Sequence, residues 1–254
     1  MPIHRDRALC LRNIEYSETS QIVTLFGRRT GMFRTIAKGA HRRTKAGASK
    51  FDGGIDLLDV GDCVFIDHAN RDLGTLTEWK QLSGQLSLHR SLRGMLLGQV
   101  LAEVLPSLLA EHDPHPELFD RLRATLPVLS TDRVEEHFVA LLADVLSMAG
   151  YLPDLNACAQ CDQPLAGFAA STPVRPGLLC RNCADAYPNR RELDPRLFRI
   201  VTTLLSLPRE RGVAQRLPRL TRHQSDPLID FFLGQIEQVS QRPLRTRAFL
   251  DDVG

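Results

Sequence analysis

Four cysteines form two matched pairs in the second half of the chain, and their spacing is its strongest chemical signal. Two residues lie inside each pair and 18 residues separate the pairs, which are Cys158 with Cys161 and Cys180 with Cys183. Each short pair can bring two thiolates onto one ion, and the connecting segment is long enough to complete a tetrahedron. Four sulfurs at about 2.3 Å leave no open coordination position. The spacing therefore predicts a structural Zn²⁺ ion.

Other uses of two CxxC pairs remain open from spacing alone. Redox pairs or a disulfide pair are the main alternative, and iron–sulfur ligation is a smaller one. A redox CxxC usually opens a helix after a strand, and we expect neither pair to have that setting. Asn156 precedes the first pair, and Pro164, Pro176 and Gly177 supply turns between the pairs. These turn residues favour metal-binding knuckles.

A dense basic stretch lies in the first fifty residues, where an expected strand runs into a glycine and a basic loop. Cations on the loops of a small barrel can follow a phosphate backbone, and each phosphate that they neutralise releases counterions. We therefore favour nucleic-acid binding over passive solvation of this cluster. Phe33 and Phe51 flank it, but core packing is the expected role of each single ring. The predicted DNA-binding residues are Arg28, Arg34, Lys38, Gly39, Arg42, Arg43, Lys45 and Lys50.

The net charge of +2 hides a strong asymmetry along the chain. Residues 1–50 hold eleven Lys/Arg against three Asp/Glu, residues 51–120 hold four against twelve, and residues 187–247 hold twelve against six. Two basic ends around an acidic middle are typical of a protein that binds polyanions. An unevenly charged, solvated surface is the alternative.

A second candidate binding surface lies near the end of the chain, where arginines precede an apolar helical face. The face has two interpretations, of which core packing is the simpler. The other is a groove for the acidic, hydrophobic tail of a partner protein, with arginines capturing its carboxylates. The residues of this predicted tail-binding surface are Arg216, Arg219, Arg222, Phe231 and Phe232.

The first eighty residues predict short strands. Segments rich in Val, Ile, Leu, Thr and Phe are separated by glycines, without helical spacing. Five strands are expected: 8–14, 21–26, 32–37, 62–68 and 75–82. Five strands in so short a span indicate a five-stranded, partly open barrel of the OB type. We assign residues 1–82 to an OB-fold DNA-binding domain.

The remainder has helical periodicity. Leucines recur at four-residue steps over 87–110, where Pro106 should kink or end the helix, and a second helix is expected over 116–126. The capping-box spacing of Asp132 and Glu135 starts a third, and Asp-Pro pairs at 194–195 and 226–227 start two more. The fold class is therefore α+β: the barrel, then a helical domain over 83–254 with a zinc-binding insert at about 155–187.

No convincing enzyme signature accompanies these features, and we expect a protein that is not an enzyme. Phosphate-binding GxxxxGK[ST], HExxH and GxSxG motifs do not occur in the sequence. A zinc-dependent hydrolase or deaminase is the alternative, because His115 and Glu117 form an HxE. However, Ala157 rather than proline precedes the first cysteine, and four cysteines would already close the metal site.

The sequence also bears on location. The N-terminal residues have no apolar signal-peptide region, and the most apolar run, Met95 to Ala110, is short and carries Glu103. We therefore expect no membrane contact. Cys10 and Cys63 lie in apolar stretches and are expected to pack as small buried residues. Together these features favour a reducing, cytoplasmic setting.

The chain resembles the RecO recombination-mediator family of bacteria over nearly its full length. The resemblance rests on three stretches: 8–26 (ALCLRNIEYSETSQIVTLF), 31–43 with its GMF and AKGAHRR segments, and the tail 236–250 with RPLRTRAFL. The four-cysteine element adds to it, since some family members have one. The order and spacing of these stretches are more specific than any single motif.

The resemblance implies a non-catalytic protein whose OB barrel binds single- and double-stranded DNA. It implies annealing of complementary strands coated by single-strand-binding protein and, with RecR, help in loading RecA at gaps, with RecF an indirect partner. It also implies that the helical domain receives the C-terminal tail of single-strand-binding protein, and a cytoplasmic, nucleoid-associated location in bacteria. The alternative function is a zinc-stabilised DNA- or protein-binding regulator without annealing activity.

Overall fold

The structure is a computed structural model, and it describes residues 2–41, 50–51, 53–68, 72–84, 88, 91–165, 167–206 and 217–252. The chain forms two compact units, Met1–Ser130 and Thr131–Gly254. The barrel and the first two helices belong to the first unit. The predicted division into domains between residues 82 and 83 stays a prediction.

The first unit contains the expected five-stranded barrel. Its strands are β1 (Ile3–Ser17), β2 (Ser20–Gly27), β3 (Gly31–Ala37), β4 (Val60–Ile66) and β5 (Gly74–Ser83). They pair in the order β1-β2-β3-β5-β4, and β4 returns to β1 to close the barrel. All pairs are antiparallel except β3 with β5. This confirms the OB-type barrel.

Alternation along the strands explains why the barrel forms. Inward positions carry apolar residues that form one cluster, and many neighbouring positions are partly or fully exposed, although residues 8–11 of β1 and 31–33 of β3 are buried without a break. Phe33 and Phe65 stack at its centre with ring centroids 4.2 Å apart. The cluster consists of Ala8, Cys10, Val23, Leu25, Phe33, Ala37, Ala40, Phe51, Ile55, Cys63, Phe65, Leu76 and Trp79. Cys10 and Cys63 are therefore buried core residues, as expected.

Two helices complete the first unit: α1 (Leu92–Leu108) and α2 (Pro116–Thr125), followed by a 3-10 turn over Leu126–Ser130. Ser91 caps α1, since its Oγ accepts a hydrogen bond from the Gly94 backbone N–H at 3.0 Å. The helix ends two residues after Pro106. Both predicted helices are therefore present.

The second unit consists of five helices and a small sheet among the described residues. The helices are α3 (Val134–Met148), α4 (Arg181–Ala184), α5 (Pro195–Ser206), α6 (Arg222–Ser240) and α7 (Arg247–Asp252). The strands β6 (Ala169–Thr172), β7 (Arg175–Leu179) and β8 (Arg191–Leu193) pair in the order β7-β6-β8. The four cysteines therefore lie beside a sheet that the sequence analysis did not predict.

Two predicted helix starts are wrong. Helix α3 begins at Val134 without a side-chain cap, because Asp132 instead accepts a hydrogen bond from Arg219 and Glu135 accepts one from Ser225. Helix α6 begins one turn before Asp226, where Thr221 and Gln224 form the capping box. Pro227 therefore lies inside α6, where it lacks an N–H for one helical bond. The start at Pro195 is confirmed.

Candidate nucleic-acid interface and metal site

The four cysteine sulfurs converge on one point. All four Sγ atoms lie within 4.8 Å of one another, and those of Cys161 and Cys180 are 3.8 Å apart. A tetrahedron with Zn–S bonds of about 2.3 Å has edges of about 3.8 Å. The donor set and its geometry therefore fit a Zn²⁺ ion held by Cys158, Cys161, Cys180 and Cys183.

Local backbone bonds shape the first cysteine pair. The Cys158 N–H donates to the Gln163 carbonyl oxygen at 2.8 Å, and the Asp162 N–H donates to the Cys158 carbonyl oxygen at 2.9 Å. Asp162 has φ of 58°, in the left-handed region that aspartate tolerates better than most residues. This tight turn places both sulfurs of the pair on one side.

The second pair differs from expectation. Cys180 follows β7 and caps α4, so this pair does open a helix after a strand. That helix has only four residues, and the sulfurs of the other pair meet it. Convergence of four sulfurs favours metal binding over a redox pair, which needs only two.

The protonation of the cysteines also suits a metal site. Burial tends to raise the pKa of Cys158, but backbone N–H groups at Cys180, Gln160 and Cys161 stabilise its thiolate, and the pKa falls to about 6. Hydrogen bonding with Cys161 and burial raise the pKa of Cys183. A bound Zn²⁺ would remove this difference between the pKa values of Cys158 and Cys183, because it holds all its cysteine ligands as thiolates.

The predicted DNA-binding residues fall into different places. Arg34 lies on the outer side of β3, and Lys38 and Gly39 follow that strand. Arg28 forms a bidentate ion pair with Asp120 of α2, with N···O distances of 2.9 and 2.8 Å. Lys50 is exposed. Arg42, Arg43 and Lys45 lie outside the described residues.

The strand register creates a surface that sequence reasoning missed. Ile14 pairs with Ile22 and Ile22 with Ile36, so three isoleucines form a row across β1, β2 and β3. Because side chains alternate, the next outward row is Arg12, Thr24 and Arg34. Tyr16, 65% exposed, follows Ile14 near the hairpin tip, at an irregularity in the pairing between Glu15 and Ser17. We call this surface the platform: Arg12, Ile14, Tyr16, Ile22, Arg34, Ile36 and Lys38.

The platform combines two kinds of contact that single strands use. Its isoleucines and tyrosine offer an apolar surface for bases, and its cations flank that surface where phosphates would run. The exposed Ile14 and Tyr16 were detectable in the sequence as apolar residues alternating with Asn13, Glu15 and Ser17. Their alignment with Ile22 and Ile36 was not, because it depends on pairing between strands.

His41 anchors the start of the basic loop. Its Nε2 lies 3.0 Å from Glu15 Oε2 on β1, and its Nδ1 lies 3.1 Å from the Gly53 carbonyl oxygen. The Gly53 carbonyl, and next Glu15, raise the pKa of His41. The histidine therefore holds its charge to higher pH than a free imidazole and adds to the basic character of the loop.

The described residues of the predicted tail-binding surface have partners within the second unit, and their binding of a tail stays a prediction. Arg219 pairs with Asp132 at 2.9 Å and Arg222 pairs with Asp226 at 3.5 Å on the surface of the second unit. Phe231 and Phe232 are buried, and Phe231 packs edge-on against Phe198. These rings have the core role that was the simpler interpretation. Arg216 lies outside the described residues.

Within the described part of the chain, no helix combines the length and apolar character needed to cross a bilayer.

Comparison with known families accounts for both halves of the chain. A family model described as Recombination protein O N terminal matches residues 1–84. A second, described as Recombination protein O C terminal, matches residues 89–248. The first match coincides with the barrel strands, and the second covers the helices and the four cysteines.

Individual relatives agree with these matches. A DNA repair protein RecO of Rhodopirellula baltica is 34% identical over 180 residues, which are 69% of this chain and 65% of that protein. The DNA repair protein RecO of Rubrobacter xylanophilus is 29% identical over 87% of this chain and 90% of its own. The DNA repair protein RecO of Anaeromyxobacter dehalogenans strain 2CP-C is 28% identical over 96% of this chain and 94% of its own length.

Proposed function

The chain belongs to the RecO family of DNA repair proteins, and from this premise we propose that it is a DNA-binding recombination mediator. It binds single- and double-stranded DNA and anneals complementary strands coated by single-strand-binding protein. With RecR, it helps RecA to load at gaps and breaks, with RecF acting indirectly. The role requires no bond to be made or broken in the DNA.

The platform is the observation that carries this proposal. A row of isoleucines with Tyr16 at its end gives bases an apolar surface whose contacts do not depend on sequence. Arg12, Arg34 and Lys38 are exposed around it and can neutralise phosphates. A protein that anneals any two complementary strands needs this combination, because base pairing itself selects the partner strand.

Annealing follows from charge neutralisation. Two DNA strands repel each other through their phosphates, and cations of the barrel reduce that repulsion while holding one strand in place. The predicted loop cations Arg42, Arg43 and Lys45, with Arg28 and Lys50, extend the basic surface. Binding and annealing should therefore both weaken steeply as salt concentration rises.

The proposed zinc site is structural. A Zn²⁺ ion on four thiolates would cross-link the loop before β6 to the end of β7 and the start of α4. It would stabilise this part of the second unit and leave no coordination position for a substrate. This closed donor set argues against the deaminase alternative.

The second unit offers a place for the tail of single-strand-binding protein. A cavity of about 270 Å³ is lined by apolar residues, among them Leu155, Leu178 and Phe198, with Arg199 beside them. An apolar side chain at the end of an acidic tail would enter the cavity, and Arg199 would pair with a carboxylate. Arg219, which is exposed, and Arg222, which is half-buried, would contact the acidic part of the tail by exchanging their partners Asp132 and Asp226 for its carboxylates. We place the protein in the bacterial cytoplasm, at the nucleoid.

An annealing assay tests the proposal. Two labelled complementary oligonucleotides, bare or coated with single-strand-binding protein, are mixed with the purified, zinc-loaded protein across a series of salt concentrations. If the protein is a mediator, coated strands pair faster with the protein than without it, and this acceleration is lost at high salt. A zinc-stabilised regulator without annealing activity would bind the oligonucleotides, or a partner protein, and leave the pairing rate unchanged.

A further inference from the structure

A charged groove lies on another side of the barrel, away from the platform. It has a volume of about 1010 Å³ and lies over β1, β4 and β5 and the turn after β2. Nine of its twelve described lining residues are charged. Six of these are cations: Arg5, Arg7, Arg28, Arg29, Lys50 and Lys80.

Strand register explains how these residues meet. Arg7 pairs with Asp62 across β1 and β4, and Asp62 pairs with Lys80 across β4 and β5. The next outward row is Arg5, Val64 and Glu78. Lys50 joins them because its carbonyl oxygen accepts the Trp79 N–H at 2.9 Å. The groove is thus built by the pleat of three paired strands.

The turn after β2 forms one wall of the groove and is rigidly held. The buried carboxylate of Asp6 accepts hydrogen bonds from the backbone N–H groups of Arg29 and Thr30, each at 2.9 Å. The Arg28 N–H donates to the Arg7 carbonyl oxygen at 2.8 Å. These bonds fix the turn that carries Arg28 and Arg29 against β1.

The groove has cations in excess of its carboxylates. Asp6 is engaged by the turn, and Asp62 pairs with Arg7 at 2.8 Å. Among the described residues, no ion pair engages Arg5, Lys50 or Lys80, and Glu78 is the remaining carboxylate of the lining. The groove is therefore poised for an anion that touches several separated cations.

The middle of β1 separates this groove from the platform. Leu9 and Leu11 are buried between the exposed Arg5 and Arg12. Seven residues of extended strand span about 23 Å. A strand bound at one surface would have to cross this buried segment of β1 to reach the other.

We propose that the charged groove binds the sugar–phosphate backbone of a second single DNA strand while the first lies on the platform. This rests on the proposed function, because it requires a strand on the platform. The ligand is a polyphosphate rather than an acidic, hydrophobic peptide, because the described lining offers only Cys63, Val64 and Trp79 as apolar residues. Two strands on one small barrel would meet without crossing bulk solvent.

Trp79 packs in the barrel core between the groove residues Glu78 and Lys80, so it gives an indirect optical signal for the groove. It is the single tryptophan of the chain, it is 2% exposed, and it lines the groove. Its indole Nε1–H is buried and has no hydrogen-bond partner among the described residues. A strand seated in the groove should change the emission of this residue, whereas no second tryptophan exists elsewhere to contribute.

The test uses the full, zinc-loaded chain, a fluorescently labelled dT oligonucleotide and three variants. The groove variant replaces Arg5, Arg7 and Lys80 by alanine. The platform variant replaces Arg12, Arg34 and Lys38 by alanine. The charge-matched control replaces Arg123, Arg196 and Arg242, which are exposed outside both surfaces. Circular dichroism and thermal melting confirm that each variant folds.

The expected result separates the two surfaces. The groove variant keeps the anisotropy change of the first bound strand, loses the Trp79 emission change and anneals more slowly. In the native chain the Trp79 transition weakens as salt concentration rises. Glu78→Gln shifts the Trp79 transition to lower DNA concentration. The proposal would be overturned if the groove variant retained the Trp79 emission change. It would also be overturned if a poly-glutamate peptide changed the Trp79 emission of the native chain and DNA did not.

Failure of the proposed function looks different. If the platform variant and the native chain bind the first strand equally well, the platform assignment is wrong whatever Trp79 reports. If the native chain shows no anisotropy change at low salt, the proposed function itself fails.

Discussion

His41 Nε2 lies 3.0 Å from Glu15 Oε2, so a histidine after β3 is paired with a carboxylate on β1. The other ring nitrogen of His41 contacts the Gly53 carbonyl oxygen at 3.1 Å. One imidazole thereby ties a residue that follows β3 both to β1 and to a residue that precedes β4.

This pairing predicts a pH dependence of stability. The pKa of His41 is raised above 6.5, first by Gly53 and then by Glu15, and the pKa of Glu15 is lowered below 4.5, first by Gln21. The histidine contribution is full below pH 6.5 and is lost as pH rises through the raised pKa. The glutamate contribution is present above pH 4.5 and is lost as pH falls through the lowered pKa.

His41→Ala should therefore lower the free energy of unfolding most between about pH 4.5 and 6.5. The loss should be less than about 1 kcal/mol, because the pair is largely exposed. Urea unfolding of the native chain, His41→Ala, Glu15→Gln and the double variant across pH measures the coupling energy. A coupling that stays constant up to pH 9 would contradict the assignment.

Zinc removal should unfold part of the second unit. Cys161→Ser removes one of four thiolates, and we expect zinc content well below one per chain and a lower melting temperature. Cys63→Ala is the matched control, because it removes a cysteine outside the cluster and should keep full zinc content. Metal analysis and the absorption spectrum of the Co²⁺-substituted chain provide the measurement. A spectrum without full tetrathiolate character would show the site to be open.

Gly31 should tolerate a side chain far less than Gly53. Both have positive φ, 74° and 94°, but a Cβ at Gly31 would lie 2.4 Å from the Asp113 carbonyl oxygen. A Cβ at Gly53 would meet no atom of the described residues within 4 Å. Gly53→Ala should cost about 1 kcal/mol and Gly31→Ala more than about 3 kcal/mol. Chemical denaturation of both variants measures this. Equal costs would show that crowding at Gly31 is relieved by movement.

Two arginines of the second unit should differ in their effect on stability. Glu136 is 1% exposed, and it accepts hydrogen bonds from Arg133 and from the Leu220 N–H. Arg133→Ala leaves that carboxylate buried without its cation and should cost about 3 kcal/mol. Arg219 and Asp132 are exposed, so Arg219→Ala should cost less than about 1 kcal/mol. Denaturation midpoints of the two variants measure the difference. Equal midpoints would show that burial of the ion pair does not determine its contribution to stability.

Tyr16 should contribute base stacking on the platform. Tyr16→Ala should weaken binding of a dT oligonucleotide by about 1–3 kcal/mol without changing its salt slope, because no cation is lost. Tyr151→Ala, which removes an exposed tyrosine from the second unit, is the control. Fluorescence anisotropy at several salt concentrations measures both quantities. Equal affinity of the Tyr16 and Tyr151 variants would remove Tyr16 from the interface.

Part of the candidate site was predictable from the sequence. The cysteine ligands are set by two-residue spacings, and such short spacings constrain geometry wherever the pair lies in the fold. The positions of Arg34 on a strand and Lys38 after it were also predictable, because the strand pattern over 32–37 is local in the sequence. Phe231 and Phe232 are buried, as the simpler interpretation of that helix face expected. The sequence could not decide between the two interpretations, because an apolar helix face has the same residue pattern in a core and in a binding groove.

The sequence by itself determined the five strands of the barrel, the five longer helices and the four residues that can hold a metal ion, because periodicity, turn residues and ligand chemistry act over a few residues. Only the tertiary structure decided the start of α6, the row of Ile14, Ile22 and Ile36, and the meeting of Arg5, Lys50 and Lys80. Those depend on strand pairing and on partners distant in the chain. A shift of one residue in strand register would turn every one of those side chains to the opposite face of its strand.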